Sequence, residues 1–176
     1  MFRKIIITTL SLCSFQISAK DSSTNFFQSM LKHCGNTYVG KTIYPDDPNH
    51  DFAGKRLTMT VAHCSDSEIR IPFQVGQDKS RTWILKQTEN GLLFKHDHRH
   101  EDGTPDRVTM YGGYASKQSS VTASFPADEY TAKLIPAAKS NVWILSFEPE
   151  QKIFTYYLER SSQARYKAIF DTRVLK

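Results

Sequence analysis

The sequence predicts a mainly β protein: an antiparallel meander closing into an up-and-down barrel, with an N-terminal helix at one end. A β-sandwich is the alternative architecture. Three observations carry the prediction. Beyond Gly35 the chain breaks into short runs in which apolar and polar residues alternate, the period of a half-buried strand. Compact turn sequences separate these runs, among them Ser65-Asp66-Ser67, Gly76-Gln77-Asp78, Asn90-Gly91, Glu101-Asp102-Gly103 and Pro149-Glu150-Gln151. Many antiparallel strands in simple succession must also hide their edges, by closing into a barrel or stacking as two sheets.

The elements follow in order. Residues 1–19 read as an export signal: the basic pair Arg3-Lys4, an apolar run from Ile5 to Cys13, and Ile17-Ser18-Ala19 as a small-residue cleavage site. The apolar run is about half of the roughly 20 residues that a membrane span needs. Cleavage after Ala19 would leave residues 20–176 as one domain with no transmembrane segment. Ser22–Cys34 is predicted as a helix, with Ser22, Ser23 and Thr24 as candidate N-caps. Phe26, Phe27, Met30, Leu31 and Cys34 form its apolar stripe, and Gly35 follows as a stop.

Strands are predicted near Thr37–Tyr44, Lys55–Cys64, Glu68–Val75, Arg81–Thr88, Leu92–His100, Arg107–Tyr111, Ser119–Phe125, Asn141–Phe147, Lys152–Glu159 and Ala164–Asp171. A short helix over Glu129–Ile135 is capped by Asp128 and ends before Pro136. Tyr44–Asp51, with two Pro and three Asp, is the one loop long enough to cover something. Its Asp46, Asp47 and Asp51 lack the spacing of a calcium loop and read as a solvated acidic stretch.

Composition removes several functional classes. The 176 residues are 39% hydrophobic and 23% charged, which suits one folded domain and neither a disordered tail nor a fibre. The net charge of +5 falls to +3 once Arg3 and Lys4 are set aside, too little and too scattered to argue for nucleic acid. The chain lacks a phosphate loop, a dinucleotide fingerprint, a Gly-x-Ser-x-Gly elbow and a His-Glu-x-x-His motif. No catalytic residues are assigned. Of the three cysteines, Cys13 leaves with the leader, and Cys34 with Cys64 remains as an even pair. In an oxidising compartment such a pair is a disulfide.

The feature most suited to chemistry is Phe94-Lys95-His96-Asp97-His98-Arg99-His100-Glu101. Alternation on a strand puts His96, His98 and His100 on one face with Leu92 and Phe94, and Lys95, Asp97, Arg99 and Glu101 on the other. The charged face reads as solvated, so the imidazoles turn inward. With Asn90-Gly91 as a two-residue hairpin loop, Leu85 falls opposite His96, Trp83 opposite His98 and Arg81 opposite His100. The inward row then makes a polar network or a ligand contact from Arg81, Trp83, His96, His98 and Tyr111. A sharper reading makes the His96, His98 and His100 ladder a site for zinc or another transition metal, with His96, His98 and one outside residue, His63 or a carboxylate, as the three ligands of a catalytic zinc. The outer two imidazoles, however, lie about 13 Å apart along a strand. Glu68 and Arg70 alternate with apolar residues and read as a cross-strand ion pair. Tyr111-Gly112-Gly113-Tyr114 reads as a tight glycine turn beside a pocket mouth.

Several of these segments together resemble a family of small exported bacterial proteins with no assigned activity. The residues that carry the resemblance are Asp51–Leu57, Glu68–Phe73, Ser80–Trp83, Lys95–Gly103, Tyr111–Gly113 and Asn141–Trp143, and the Lys95–Gly103 string is the most specific. The resemblance implies an exported protein, periplasmic or extracellular, and brings no catalytic residues with it. The barrel itself is similar to lipocalin-like binding proteins at the level of fold alone. The sequence thus leads to a non-enzymatic barrel holding a small, partly apolar ligand. The alternatives are a metal-binding or zinc-dependent hydrolytic protein and a structural or partner-binding envelope protein.

Overall fold

The computed structural model describes residues 25–173. The leader, its cleavage site and the caps Ser22, Ser23 and Thr24 lie outside the described residues. The fold is mainly β, a single eleven-stranded antiparallel sheet. A short helix α1 (Phe26–Leu31) leads into β1 (Thr37–Tyr44), β2 (Leu57–Thr60), β3 (Glu68–Val75), β4 (Asp78–Thr88), β5 (Gly91–His98) and β6 (Tyr111–Tyr114). Then come β7 (Lys117–Gln118), β8 (Thr122–Pro126), α2 (Glu129–Leu134), β9 (Asn141–Glu148), β10 (Ile153–Arg160) and β11 (Gln163–Asp171).

The strands form a meander. From one sheet edge they run β6 back to β1; β1 then pairs with β11, and the order continues from β11 back to β7. The sheet curls so far that its two edge strands, β6 and β7, are neighbouring pieces of one stretch of chain. The ends meet there: the Ser116 amide donates to the Ser124 carbonyl at 2.9 Å, and the Asp128 amide to the Gly112 carbonyl at 2.9 Å. Only glycine permits this approach. A Cβ on Gly113 would sit 1.9 Å from the Pro126 oxygen, and one on Gly112, at φ +149°, would sit 2.0 Å from the Phe94 oxygen. Tyr111-Gly112-Gly113-Tyr114 is therefore strand, where the sequence suggested a turn.

Alternate residues of most long strands point into the enclosed core: Ile69, Ile71, Phe73 and Val75 from β3, Trp83 and Leu85 from β4, Trp143 and Leu145 from β9, and Phe154 and Tyr156 from β10. Helix α1 closes one end. Asn25 caps it by accepting from the Gln28 amide, and Phe26, Phe27 and Met30 are fully buried. Just past the helix, His33 stacks on Phe147 with ring centroids 4.6 Å apart. The opposite end lies under the long loop 45–56. Among the described residues no helix is long and apolar enough to cross a membrane.

Several expectations are corrected here. The β4–β5 hairpin turns on Glu89-Asn90, not Asn90-Gly91, because Thr88 pairs with Gly91; Thr88 Oγ1 donates to the Gly91 carbonyl at 2.9 Å and accepts the Asn90 amide at 3.1 Å, fixing that turn. Trp83 consequently faces His96, and Arg81 faces His98. A shift of two residues keeps every side chain on its expected face. Strand β2 stops at Thr60, short of the predicted Cys64, where His63 adopts φ 45°. The predicted strand Arg107–Tyr111 is irregular up to β6, with Met110 at φ 58°. Glu68 and Arg70 pair along one strand at 2.8 Å rather than across strands.

Cys34 and Cys64 are joined at 2.04 Å with Cα atoms 6.3 Å apart. Cys34 falls beyond the end of α1 and is exposed rather than carried inward; the bond ties the segment after the helix to the turn before β3. It closes a separation of 30 residues, worth about 3–4 kcal/mol on a chain-entropy account. Urea denaturation of Cys34→Ser/Cys64→Ser is expected to show a loss of about that size, and an unchanged midpoint would contradict it. Gly113→Ala is expected to lower stability more steeply than Gly54→Ala, a positive-φ loop glycine whose Cβ would meet nothing within 4 Å. Equal melting points for the two variants would show that the sheet ends do not need this approach.

Candidate functional site

The site is assembled on the inner face of β4 and β5 at the end away from α1. Strand pairing sets Trp83 against His96 and Arg81 against His98, while His96 faces Tyr111 of β6 on its other side. Phe73, Trp83 and Tyr156 form a continuous stack, with centroids 4.5 Å and 4.7 Å apart and interplanar angles of 20° and 12°. His96 stacks on Tyr111 at 4.5 Å. Above these lies the 45–56 loop, whose His50 stacks on Tyr166 at 5.5 Å and whose Phe52 packs edge-on to Phe73 and Tyr166. Between loop and sheet is a cleft of about 260 Å³ lined by His50, Asp51, Phe52, Phe73, Arg81, Trp83, His96, His98, Tyr111, Tyr156, Leu158, Arg165 and Tyr166.

His96 is only 3% exposed, and both its nitrogens are engaged. Nδ1 lies 3.2 Å from the Tyr111 carbonyl oxygen, and Nε2 lies 2.9 Å from the Tyr156 hydroxyl. A carbonyl only accepts, so the proton sits on Nδ1 and Tyr156 donates to Nε2. Burial drives the imidazole toward its neutral form and pushes its pKa down to about 3. His98 Nε2 bonds the Tyr111 hydroxyl at 3.1 Å. Burial, and then the Arg81 charge, lower its pKa as well. Burial pushes the Tyr111 and Tyr166 phenols up to about 12 and raises Tyr156 well above its ordinary value.

Arg81 bridges the site and the surface. It pairs with Asp78, and its guanidinium lies over the Phe52 ring, 5.2 Å from the centroid. Burial opposes ionisation of Asp78, but bonds from Ser80 and Arg81 outweigh it and hold its pKa at about 2.

All five residues expected to contact a ligand, Arg81, Trp83, His96, His98 and Tyr111, line this one cleft. His100 does not join them. Strand β5 ends at His98; the chain then turns away, and exposed His100 lies in a separate open groove with Gln77, Asp78, Lys79, Ser80, Arg99 and Glu101. His63 is exposed next to Cys64, at the end of the sheet that carries α1. Among the described residues no group of three or more His, Cys, Asp or Glu is gathered as a metal would require, so the three-histidine cradle is not formed.

The opposite face of β5 also departs from expectation. Asp97 is 3% exposed, not solvated, because the 99–110 segment folds over it. It accepts from Arg99 Nε at 3.0 Å and from Thr109 Oγ1 at 3.3 Å, and lies 3.7 Å from Arg70.

The sequence pointed to the covering loop, but not to His50, Phe52 or Arg165 as parts of the site. Nothing local distinguishes those three; they arrive through tertiary closure. The chain matches no protein-family model, no curated protein and no solved structure in comparisons with known proteins.

The buried neutral imidazole sets a pH dependence. Its pKa drops from 6.5 unfolded to about 3 folded, so the unfolded chain binds the extra proton more readily. Stability from this group is complete above pH 6.5 and declines as the pH falls toward 3, by about 4–5 kcal/mol over the full interval. In His96→Gln, the amide can donate to the Tyr111 carbonyl and accept from Tyr156 without titrating. Urea midpoints measured from pH 7 to pH 4 are expected to fall more steeply in the wild type than in His96→Gln. Parallel slopes would show that His96 does not titrate on unfolding.

Proposed function

We propose that the protein is an exported, non-enzymatic binding barrel that holds a small, partly apolar ligand in the cleft between the 45–56 loop and the β4–β5 face. The observation that carries this reading is the gathering of Arg81, Trp83, His96, His98 and Tyr111 around one opening. Aromatic faces line its walls, and polar groups stand at its mouth. Concave, mostly apolar sites with a few fixed polar groups are the usual form of small-molecule pockets, and about 260 Å³ sits just below their common size range of about 300–1,000 Å³.

The chemistry available there favours binding over turnover. His96 and Tyr156 satisfy each other, and the tyrosines that line the cleft hold their protons well above neutral pH. Among the described residues, none that lines the cleft is a serine or cysteine nucleophile. Export is supported by the basic-apolar-small pattern of residues 1–19 and by the joined pair Cys34–Cys64. Membership of the family of small exported proteins belongs to the same proposal, resting on the Lys95–Gly103 string and its companions.

The test is native mass spectrometry of the full chain purified from a host that exports it. The expected spectrum begins at Lys20 and carries a non-covalent adduct. That adduct should disappear in Leu158→Trp, which fills the cleft from its partly buried rim. An adduct-free wild-type spectrum, or an adduct that survives Leu158→Trp, would overturn the reading.

A further inference from the structure

We propose that the cleft selects a small planar anion: a single ring bearing one carboxylate, with the ring along the Trp83–Tyr156 stack and the carboxylate between Arg81 and Arg165. This rests on the ligand-binding reading above and adds the chemical class of the ligand. The aromatic wall sets the shape. Trp83 and Tyr156 lie nearly parallel, 12° apart, and offer a flat edge to a flat ligand. A cleft of about 260 Å³ has room for one ring and a short substituent, not for a lipid chain of ordinary length.

The charge at the mouth sets the sign. Three charged residues line the cleft, two arginines and Asp51. Arg81 belongs to the cleft more than its partner does: its side chain is 23% exposed against 45% for Asp78, and Asp78 is not part of the lining. A guanidinium carries five N–H donors, and Asp78 engages one nitrogen, Nη1. The rest remain for a second acceptor. The field of Arg81 reaches inward, since it contributes to the lowered His98 and works against the raised Tyr111 and Tyr166. Among the described residues, Arg165 is exposed and makes no ion pair.

Hydrogen-bond polarity agrees. The Phe52 amide donates to His50 Nδ1 at 3.2 Å, so in the neutral ring the hydrogen is on Nε2, a further donor at the loop side. The mouth is therefore rich in donors, and the matching ligand brings acceptors. A charge-assisted contact of this kind is worth roughly tenfold in affinity.

Three probes that share one ring separate the possibilities: benzoate, benzyl alcohol and benzylamine, titrated against the mature full-length chain by tryptophan fluorescence. Benzoate is expected to bind roughly tenfold more tightly than benzyl alcohol, with benzylamine weakest. Arg165→Gln, at an exposed position that leaves the fold alone, and Arg81→Gln should each erase most of the benzoate preference. Equal affinity for benzoate and benzyl alcohol would overturn the anion assignment while leaving the apolar cleft intact, and so would a preference for benzylamine. Failure of all three probes overturns the assignment too. If the native mass spectrum then still shows an adduct, the binding reading survives; if it shows none, both fall together.

Discussion

Closure of the sheet at Gly112-Gly113 is the constraint on which the rest of the structure depends. Strand β6 must pair with β5 on one side and lie against the end of β8 on the other, with backbone atoms where side chains normally stand. Helix α2 locks this contact. The fully buried Thr131 hydroxyl accepts the Gly112 amide at 2.7 Å and donates to the Gly112 carbonyl at 2.8 Å. Asp128, the cap of α2, ion-pairs with Lys95 on the neighbouring strand. One residue away, Tyr111 is thereby held against both His96 and His98. The cleft is a consequence of how the sheet closes.

Strand β5 shows how charge is kept out of the interior. Its inward imidazoles are neutral, His96 through burial and His98 through burial and the Arg81 charge. Its carboxylate, Asp97, points the other way and is buried among Arg70, Arg99 and Thr109. Buried ionic groups persist only when paired, and buried polar groups only when bonded. The strand meets both conditions on opposite faces. No buried side-chain nitrogen or oxygen lacks a partner among the described residues. Among the described residues lining the cleft, the full positive charges are those of Arg81 and Arg165.

Strand identity and facing were largely legible in the sequence because a period of two is a strong local signal and survives small errors in register. Residues Thr37–Tyr44 and Glu68–Val75 fall as strands with the expected bounds, and the Arg81/Trp83/His96/His98 row is readable from alternation on two strands joined by a hairpin, because a two-residue error in pairing keeps the faces. The hairpin register was not. The Asn-Gly pair favoured a turn one residue later than the one that the Thr88 hydroxyl stabilises, and side-chain hydrogen bonds of that kind leave no periodic trace. The position of His100 is not legible, because alternation says nothing about where a strand ends, and β5 ends at His98. The burial of Asp97 leaves no mark in the sequence, because its cover comes from a segment without regular pattern. The loop residues His50 and Phe52 were illegible for the same reason: they meet Tyr166 only after the chain has closed, more than a hundred residues later.

The two ends of the barrel are built on different terms. At one, α1 inserts Phe26, Phe27 and Met30 as a dry plug, and the Cys34–Cys64 bond anchors the chain beside it. At the other, the 45–56 loop rests on ring contacts: His50 on Tyr166, and Phe52 on Phe73 and beneath Arg81. Such contacts are worth about 0.5–1.5 kcal/mol each, against the several kcal/mol of a disulfide. The end fastened covalently is also packed with apolar side chains. The end held by these modest contacts carries arginine and histidine side chains along its cleft. The barrel is thus fastened asymmetrically, and its polar cleft stands at the end held by the weaker contacts.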